Sequence, residues 1–508
     1  MQIKEFLNLD KIEFYGNENY EISGISYDSR SVAEGFAFFA LSGHFTDGKK
    51  FINQAIEKGA KLIISDAKQD ISVSQIVVKD VFAFMSIFSA KFYRHPDKEL
   101  AIIAVTGTNG KTSVAYITES ILSAAGKNRA VIGTINYRYG GKVITANNTT
   151  PQSADLYKMM REMADSGIEY LIMEVSSHAL SLGRVAGIEF DIAVFTNLTQ
   201  DHLDFHKDIE RYFEAKSILF KDLGKFNDKK NQKRAVINTD DKFGKKLLEI
   251  NKNIEITTYG IDDKTASFRA ENINIGKSGS SFDLLFGQDR KKINIEHIGL
   301  HNVYNVLACI AICFYCSIPM ETIIESLKNA KAAPGRLERV DTKGLGFEVV
   351  VDYAHTDDAL KNVLSALKIV KHNRILTVFG CGGDRDRTKR PLMGKTAAQM
   401  SDFTFVTSDN PRTEDANLII LDIEFGIKKA GLNNYKIIAD RETAIKEAVM
   451  SADKDDIILI AGKGHENYQI LGTQKFHFDD REIAEKYIAL KEKEKENKKS
   501  YGQKEFKF

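Results

Sequence analysis

Residues 101–113, with the sequence AIIAVTGTNGKTS, form the stretch around which the rest of the chain is organised. The apolar run at residues 102–105 is typical of a short parallel strand that is buried on both faces. A glycine-containing loop follows, and a helix-like segment begins at Ser113. In such a unit the backbone N–H groups face an anion, the Lys111 ammonium adds positive charge, and the Thr112 hydroxyl can hold Mg²⁺. The stretch predicts a nucleotide phosphate site, although Val105 stands where the strict G-x-x-x-x-G-K-[ST] pattern has its first glycine.

The composition argues against several classes of protein. The chain has 508 residues, a length that predicts about three domains. Its formal charge of +1 gives no basic footprint for nucleic acid or for an anionic membrane. No apolar run is long enough to cross a bilayer, and the N-terminal residues lack the apolar core of a signal peptide. We expect a cytoplasmic protein whose cysteines are reduced and packed as small hydrophobic residues, namely Cys309, Cys313, Cys316 and Cys381.

Alternating strand-like and helix-like segments predict an α/β fold of three domains. We place them at residues 1–98, 99–332 and 333–490, followed by a charged tail at residues 491–508. The central domain holds the phosphate loop, and we expect a mostly parallel sheet there. Within it, residues 257–298 read as antiparallel hairpins at the edge, and residues 222–233 as a surface insertion. In the third domain, five strand patterns separated by helical patterns predict a doubly wound, Rossmann-like sheet.

Two further segments of the central domain carry candidate metal ligands. Glu174 ends a buried-strand pattern, where a carboxylate is costly unless it is paired or bound to a cation. We favour a Mg²⁺ ligand there over a structural salt bridge. After the next strand pattern, residues 197–206 contain two histidines and two aspartates. They are interpreted equally well as a capped helix start with solvated histidines or as a cation or phosphate site, in which His202 is the favoured ligand.

Lys216 lies on the apolar stripe of a predicted amphipathic helix, IERYFEAKSILF at residues 209–220. A buried amine must be paired, neutralised or modified. The alternative is that the side chain reaches the surface past its apolar neighbours, as lysine readily does. We select this lysine as a candidate functional residue.

Polar residues also follow most predicted strands of the third domain, at the sheet edge where ligands bind. Arginines are frequent among them, and an arginine fork suits a carboxylate or a phosphate. The sequence GCGG at residues 380–383 is not a dinucleotide fingerprint, which weakens any dehydrogenase interpretation. Asn302 and Asn305 open the cysteine-bearing helix and suit either a nucleotide base or a helix cap.

Together these motifs resemble the Mur ligase family of peptidoglycan synthesis. The matching segments follow the family's order: TGTNGKTS, the strand with Glu174, NLTQDHLDFH, the helix with Lys216, HNVYN, PGRLE, DYAH and GCGGDRDRTKRP. The segments NNTTP, MEVSSHAL, SDNPR and GKGHENYQ narrow the resemblance to members that add a diamino acid to UDP-N-acetylmuramoyl-L-alanyl-D-glutamate. The resemblance implies a UDP-sugar-binding N-terminal domain, a central ATPase and a C-terminal domain that brings the amino acid.

The implied reaction is ATP-dependent ligation. ATP would phosphorylate the D-glutamate carboxylate, and the amine of the incoming residue would attack the acyl phosphate. The implied cofactors are ATP and Mg²⁺, and the implied partners are the UDP-sugar dipeptide and meso-2,6-diaminopimelate. A monomer is our default expectation.

The resemblance also implies roles for individual residues in the ATP and metal sites. Lys111 and Thr112 would hold the phosphates, with one Mg²⁺ on Thr112 and Glu174. His202 would hold a second Mg²⁺, and Lys216 would be carbamylated by CO₂ into an anion that supports this ion. Asp352 and His355 would close on the nucleotide from the third domain. The implied ATP contacts are Gly107, Thr108, Asn109, Gly110, Lys111, Thr112, Ser113, Asn302, Asn305 and, at the hinge, Arg336.

The two other substrates have implied contacts as well. For the UDP-sugar dipeptide these are Ser29, His44, Phe45, Thr46, Asn148, Thr149, Thr150, Ser176, Leu182 and Arg184. Related enzymes often have glutamine where this chain has Leu182, and Asp357 replaces a usual proline in a turn. For diaminopimelate the implied contacts are Arg390, Asp409, Asn410, Pro411, Arg412, Gly462 and Glu466. An arginine at position 412 suits the extra carboxylate that distinguishes diaminopimelate from L-lysine.

Three alternatives stay open at this point. The same ligase could add L-lysine. A folylpolyglutamate synthase shares the ATPase chemistry but leaves the N-terminal unit and the SDNPR segment unexplained. A nucleotide-binding regulator without catalysis would bind ATP and release no phosphate.

Overall fold

The strand predicted before the phosphate loop exists and lies in the middle of the largest sheet. The computed structural model describes residues 1–7, 12–43, 47–225, 229, 232–250, 254–276, 278–370 and 372–502, with backbone only for residues 498–502. Within these residues the strands form three larger sheets and a separate hairpin, and helices cover the sheets. The fold is therefore of the α/β class that the sequence predicts.

The first sheet has the strand order β1-β5-β4-β3-β2, with β2 to β5 parallel and β1 antiparallel at the edge. Its strands are β1 (Glu13–Tyr15), β2 (Gly24–Ser26), β3 (Phe36–Phe39), β4 (Leu62–Ser65) and β5 (Ser74–Val77). The associated helices are α1 (Ile52–Glu57) and α2 (Val81–Phe92), with short 3₁₀ turns at Ile3–Glu5, Ser29–Ser31, Gly48–Phe51 and Pro96–Lys98.

The second sheet has eleven strands in the order β16-β15-β14-β13-β12-β11-β6-β10-β7-β8-β9. They are β6 (Ala101–Thr106), β7 (Arg129–Ile132), β8 (Asn136–Tyr139), β9 (Lys142–Thr145), β10 (Tyr170–Glu174), β11 (Ile192–Phe195), β12 (Arg234–Asn238), β13 (Glu255–Gly260), β14 (Phe268–Gly276), β15 (Gly279–Phe286) and β16 (Asp289–Ile295). Its helices are α3 (Lys111–Ala124), α4 (Ser153–Asp165), α5 (Ser177–Ser181), α6 (Leu203–His206), α7 (Ile209–Asp222), α8 (Lys242–Leu247), α9 (Leu300–Tyr315) and α10 (Met320–Lys328).

Strand β6 is buried on both faces because each face packs on its own hydrophobic core. Ile102 and Ala104 contribute to the core on one side of the sheet, and Ile103 and Val105 to the core on the other. This explains why its sequence is a continuous apolar run and does not alternate.

The third sheet has the order β17-β18-β22-β19-β20-β21, parallel except for the edge strand β17. Its strands are β17 (Glu338–Val340), β18 (Glu348–Asp352), β19 (Ile375–Phe379), β20 (Phe403–Val406), β21 (Tyr435–Ile437) and β22 (Ile457–Ala461), and the separate hairpin is β23 (Tyr468–Leu471) with β24 (Gln474–His477). The helices are α11 (Asp357–Ile369), α12 (Lys389–Met400), α13 (Ala416–Lys429), α14 (Arg441–Ser451) and α15 (Asp480–Gly502).

Parallel pairing brings the carboxyl ends of three strands of the second sheet together. In the register, Glu174 of β10 lies opposite Val105 of β6, and Phe195 of β11 lies opposite Thr106. The phosphate loop, the candidate acid and the histidine-containing loop therefore leave the sheet side by side, which is the edge where ligands bind in such sheets.

Three local expectations need correction. β13 pairs in parallel with β12, so antiparallel pairing is found from β14 to β16 and not throughout residues 257–298. Within the expected surface insertion, Lys229 and Lys233 are buried because they pair with Asp191 and Glu189. Helix α15 continues past residue 490 into the expected tail, and residues 503–508 lie outside the described residues.

Side-chain contacts join the second sheet to its two neighbours. Tyr27 donates to Asp155 on the side of the first sheet, over 2.5 Å. On the other side, Asn109 of the phosphate loop donates to Asp358 at the start of α11, over 2.8 Å. Across the described ranges, every helix is too short or too polar to span a bilayer.

Candidate active site

The phosphate loop combines an open helix N-terminus with two glycines that other residues cannot replace. Gly107 has a φ of 147° and Gly110 a φ of 90°, and side chains other than hydrogen are strained in both conformations. Gly110 is the N-cap of α3 and supplies no side-chain cap, so the first N–H groups of the helix can bind an anion. Asn197, from the end of β11, holds the loop by accepting from Thr108 N and Asn109 N, each over 2.9 Å.

Lys111 folds back over the loop that it belongs to. Its Nζ donates to the carbonyl oxygens of Gly107 and Thr108 over 2.8 and 2.9 Å. Burial lowers the pKa of Lys111, and the nearby charges of Glu174 and Asp201 oppose that effect. The amine is thus placed at the loop, as expected of a phosphate-binding lysine.

Glu174 lies where the sequence predicts, at the carboxyl end of β10, and is 1% exposed. Its carboxylate accepts from Thr112 Oγ1 over 3.0 Å, and from the hydroxyl and the backbone N–H of Thr134 over 2.9 and 3.0 Å. Mg²⁺ is held in nucleotide sites by one or two carboxylates, a hydroxyl and the phosphates themselves. The Thr112–Glu174 pair, next to the phosphate loop, fits that donor set.

Lys216 does not reach the surface, since its residue is only 1% exposed. Its Nζ donates to Gly107 O over 2.9 Å and lies 4.5 Å from the centroid of the Tyr212 ring. Burial, and then the charge of Lys111, hold the pKa of Lys216 well below its ordinary value, with Asp201 acting in the opposite direction. In the described part of the chain, no carboxylate lies within 4.0 Å of this amine. A neutral buried amine beside the phosphate loop is the form that can react with CO₂.

The two histidines of residues 197–206 differ in exposure, since 37% of the His202 side chain is exposed and His206 is buried. His206 is buried and its Nε2 lies 2.9 Å from Ser177 Oγ. Burial lowers the pKa of His202 to about 3, and its ring packs edge-on against His178 with the centroids 4.9 Å apart. Neutral imidazoles are the form that binds metals.

Asp201 is the residue of this loop that sequence reasoning did not select. It is buried, with its Oδ2 3.4 Å from His202 Nε2 and 3.8 Å from His355 Nε2 of the third sheet. Burial works to raise its pKa, but Lys389 and the hydrogen bond from the backbone N–H of His202 hold the pKa below its ordinary value. The one available signal, its position directly before His202, does not reveal the contact with His355.

Among the predicted residues of the third sheet, Arg336 contacts the phosphate loop. Arg336 Nη2 donates to Thr112 Oγ1 over 3.3 Å, and burial lowers the pKa of His355 to about 4. Asp352 acts on the backbone, since it accepts from Leu337 N and Ala354 N, each over 2.7 Å. Asp352 therefore holds the segments that carry Arg336 and His355.

A cavity of about 310 Å³ opens beside the phosphate loop, within the size range of small-molecule sites. Its phosphate-loop end is lined by Asn109, Gly110 and Ser113, and residues from α9 and from the third sheet close it on other sides. Both Asn302 and Asn305 line it, with Asn305 Nδ2 donating to Asn302 Oδ1 over 3.1 Å. Asn302 in turn donates to Ile298 O and does not cap α9, whose N-cap Gly299 has no side-chain cap.

The candidate UDP-sugar contacts fall into two groups. In the first group, Thr150 Oγ1 donates to Glu174 O over 2.9 Å, and Arg184 Nη1 donates to Thr150 O over 3.0 Å. These residues therefore lie beside the Thr112–Glu174 pair. Ser176, as the N-cap of α5, and Leu182, as its C-cap, lie on the segment that follows β10, while Thr149 contacts Thr134 and Asn148 accepts from Tyr137. Ser29 is separate from them, buried in the first sheet against Gln54, and His44, Phe45 and Thr46 lie outside the described residues.

The candidate diaminopimelate residues form a cluster of both charges at the carboxyl edge of the third sheet. Arg412, in a left-handed conformation with a φ of 54°, donates to Gly383 O over 2.7 Å. Burial and then Arg385 lower the pKa of Arg412, whereas Asp409 and Glu466 oppose that effect. Burial and then Asp409 raise the pKa of Glu466. The cluster thus offers a cation and two carboxylates to a ligand with charges of both signs.

The remaining residues of this cluster support it. Asn410 Nδ2 donates to Glu466 Oε2 over 2.8 Å, and Pro411 lies between Asn410 and Arg412. A side chain on Gly462 would meet Asp409 Oδ2 at 2.6 Å. Arg390 is fully buried, paired with Glu414 and Asp422 and bonded to Gly382 O, so it contributes by fixing the loop that Arg412 contacts.

Comparison with known proteins gives the same family over most of the chain. Residues 21–101 match the family model described as Mur ligase family, catalytic domain. Residues 105–313 match the Mur ligase middle domain, and residues 335–464 match the Mur ligase glutamate ligase domain.

Similar proteins extend over nearly the whole length. UDP-N-acetylmuramoyl-L-alanyl-D-glutamate–2,6-diaminopimelate ligase 1 of Clostridium acetobutylicum is 44% identical over 492 residues, which are 96% of this chain and 99% of that protein. A solved structure of a UDP-N-acetylmuramoyl-L-alanyl-D-glutamate–2,6-diaminopimelate ligase is 33% identical, with a TM-score of 0.68 over 97% of this chain and 99% of that one. The MurF ligase of Thermotoga maritima in complex with ADP has the same fold, with 19% identity and a TM-score of 0.63 over 93% and 98% of the two chains.

The fold and the site together define an ATP-dependent acid–amino-acid ligase, in which a phosphate loop of one sheet meets residues of another. This chain belongs to the Mur ligase family.

Proposed function

We propose that this protein joins meso-2,6-diaminopimelate to the D-glutamate of UDP-N-acetylmuramoyl-L-alanyl-D-glutamate, with ATP converted to ADP and phosphate. The observation that carries the choice of amino acid is the mixed-charge cluster of Arg412, Asp409 and Glu466. The distal end of diaminopimelate bears both a carboxylate and an ammonium group, which match the arginine and the two acids. L-lysine carries only the ammonium group there and leaves the Arg412 charge without a partner. The similar ligases named above carry the same substrates in their names.

The chemistry divides between the two sides of the cleft. The N-terminus of α3 and the Lys111 amine bind the ATP phosphates and stabilise the charge that develops as the γ-phosphoryl moves to the D-glutamate carboxylate. Arg336, which already contacts Thr112, adds positive charge from the third sheet. The amine of diaminopimelate then attacks the acyl phosphate, and phosphate leaves. Catalysis of this kind is positioning and charge neutralisation.

Mg²⁺ fits two places in this arrangement. Thr112 and Glu174 would hold one ion, which would neutralise phosphate charge. His202, with Lys216 converted to a carbamate, would hold the second. The carbamate would give the buried Lys216 a negative charge, which the positive charge of Lys111 stabilises.

The remaining assignments complete the proposal. The domains are residues 1–98, 99–332 and 333–490. The protein acts as a monomer in the cytoplasm, in the synthesis of a peptidoglycan precursor, without nucleic acid and without membrane insertion.

The direct test is phosphate release from ATP in the presence of Mg²⁺, with each substrate omitted in turn. The proposal requires phosphate release that depends on both the UDP-sugar dipeptide and the amino acid, and a product whose mass is the sum of the two less one water. Phosphate release that depends on a folate and glutamate would identify a folylpolyglutamate synthase instead. ATP binding without phosphate release under any condition would identify a regulator.

A further inference from the structure

Thr134 lies next to the Thr112–Glu174 pair, and none of the roles above uses it. It comes two residues after the end of β7, which pairs with β10, the strand that ends at Glu174. In the register, Ile132 of β7 lies opposite Met173, so the turn after β7 leaves the sheet beside Glu174. A Cβ on residue 133, a glycine, would meet Glu174 Oε1 at 2.3 Å, so this turn approaches the carboxylate closely.

Thr134 contacts both oxygens of the Glu174 carboxylate. Its backbone N–H donates to Oε1 over 3.0 Å, and its hydroxyl donates to Oε2 over 2.9 Å. Among the described residues, the other donor to this carboxylate is Thr112 Oγ1, over 3.0 Å. All of these donors are neutral, so the buried charge of Glu174 has hydrogen bonds but no cation to balance it there. A buried carboxylate in this setting is suited to bind a metal ion.

The two contacts from Thr134 fix the orientation of the carboxylate. The last torsion of a glutamate side chain is broad, so an unrestrained carboxylate can rotate. Mg²⁺ requires near-ideal octahedral geometry, which a rotating ligand does not provide. One donor on each oxygen restricts that rotation. Groups that hold a metal-binding carboxylate in this way change metal affinity without touching the ion.

Thr149 sets the direction of the Thr134 hydroxyl. The two hydroxyl oxygens lie 3.1 Å apart. An ionised carboxylate can only accept hydrogen bonds, so the single hydroxyl proton of Thr134 points to Glu174, and Thr149 donates to Thr134. Thr149 is also one of the candidate contacts of the UDP-sugar dipeptide. This chain of hydrogen bonds therefore joins the dipeptide side of the site to Glu174.

We propose that Thr134 is a positioning residue that holds the Glu174 carboxylate in the orientation that binds Mg²⁺. The inference rests on the proposed function, in which Thr112 and Glu174 hold one ion. It deepens that function, because the Thr134 hydroxyl acts on the ion through Glu174 and does not touch it.

The test measures how binding of the non-hydrolysable ATP analogue AMP-PNP depends on Mg²⁺, by calorimetry, in the native protein and in Thr134→Val. Valine keeps the shape of the side chain and the backbone N–H but lacks the hydroxyl. The Mg²⁺ concentration that gives half of the full gain in affinity should rise by about tenfold, the usual effect of losing a partner of a metal-binding carboxylate. With a chelator in place of Mg²⁺, both proteins should bind AMP-PNP equally, a result that general damage to the site would not give.

Three further variants make the result interpretable. Thr134→Ser keeps the hydroxyl and should restore the native dependence on Mg²⁺. Thr134→Ala removes the hydroxyl without placing a second methyl group beside Glu174, and should shift the dependence as Thr134→Val does. Thr145→Val, the same substitution at an exposed threonine of β9, should change nothing.

Two outcomes would count against the account, and they differ. A native dependence on Mg²⁺ in folded Thr134→Val and Thr134→Ala would overturn the role of Thr134. Binding of AMP-PNP that does not respond to Mg²⁺ in the native protein would instead contradict the proposed metal site.

Discussion

Lys216 is the residue whose environment is hardest to explain by structure alone. Its amine is buried in the central unit, and a backbone carbonyl and an aromatic ring are its contacts. A buried lysine without a carboxylate partner lowers the stability of the protein. A functional role is therefore the better explanation of its position. The proposed carbamate supplies that role, because it turns the amine into a metal-binding anion.

Replacing Lys216 by Ala should therefore abolish ligation while the protein still binds ADP. Adding a short carboxylic acid should restore part of the activity, since the acid can take the place of the carbamate. Phosphate release measured with and without the acid makes the test. Lys221→Ala, at an exposed lysine of the same helix, is the matched control and should behave as the native protein. Full activity of Lys216→Ala would remove the carbamate from the account.

Gly110 should tolerate no side chain. Its φ of 90° strains any other residue, and an added Cβ would overlap Asn305 Oδ1. Gly110→Ala should weaken ADP binding by at least about tenfold in calorimetry. Gly126→Ala, at a glycine with a φ of 72° and open space around it, carries similar backbone strain away from the site and should leave binding unchanged. Equal binding by both variants would contradict the role of the loop.

At the residue scale, the sequence identified the candidates through their local setting. Glu174 ends a buried strand and Lys216 lies on the apolar stripe of a helix, so each is a charged residue at a position where the pattern of its element is apolar. The structure places both at the phosphate loop. Asp201 was not selected because the feature that singles it out, a contact with His355, comes from a distant part of the chain.

At the scale of elements, the strands and helices of the sheets follow from apolar patterns, but the charged pairs between them do not. Arg441 of α14 is fully buried and donates to both oxygens of Asp480 at the start of α15, over 2.8 and 2.7 Å. It also donates to Ser408 O and Ala461 O, at the carboxyl ends of β20 and β22. This pair fixes the two strand ends beside the mixed-charge cluster. The partners are far apart in sequence, and neither lies in a recognisable motif.

Asp480→Ala should lower the free energy of unfolding of the third sheet by about 3–5 kcal/mol, because it leaves the buried Arg441 charge with only the more distant Asp409 carboxylate, at 3.9 Å. Urea unfolding followed by circular dichroism measures the change. Lys486→Ala breaks a partly exposed pair with Glu442 between the same two helices and should cost under about 1 kcal/mol. Similar losses in the two variants would show that burial does not set the strength of these pairs.

At the scale of the whole molecule, the site exists only where separate sheets meet. Thr112 and Asn109 of the second sheet contact Arg336 and Asp358 of the third. Each loop can be located from the sequence, but their meeting depends on how the sheets pack. The resemblance to a family supplied that arrangement in advance, and periodicity alone could not.

Arg412 belongs to this scale because, in the proposed function, it binds the second substrate at the edge of the third sheet, and that substrate must reach the phosphate loop of another sheet. Arg412→Ala should raise the KM for diaminopimelate by at least about tenfold, the worth of a charged hydrogen bond, and leave the KM for ATP unchanged. Arg290→Ala, at a half-exposed arginine on the edge strand β16, is the control and should change neither value. An unchanged KM for diaminopimelate would remove Arg412 from the amino-acid site.

The measurement that tests the account most directly is phosphate release from ATP with UDP-N-acetylmuramoyl-L-alanyl-D-glutamate, comparing meso-diaminopimelate with L-lysine. The account predicts strong release with diaminopimelate and little with lysine, because only diaminopimelate pairs with the Arg412 charge. A preference for L-lysine would contradict the assignment of the mixed-charge cluster, and no release with either amino acid would contradict the ligase function itself.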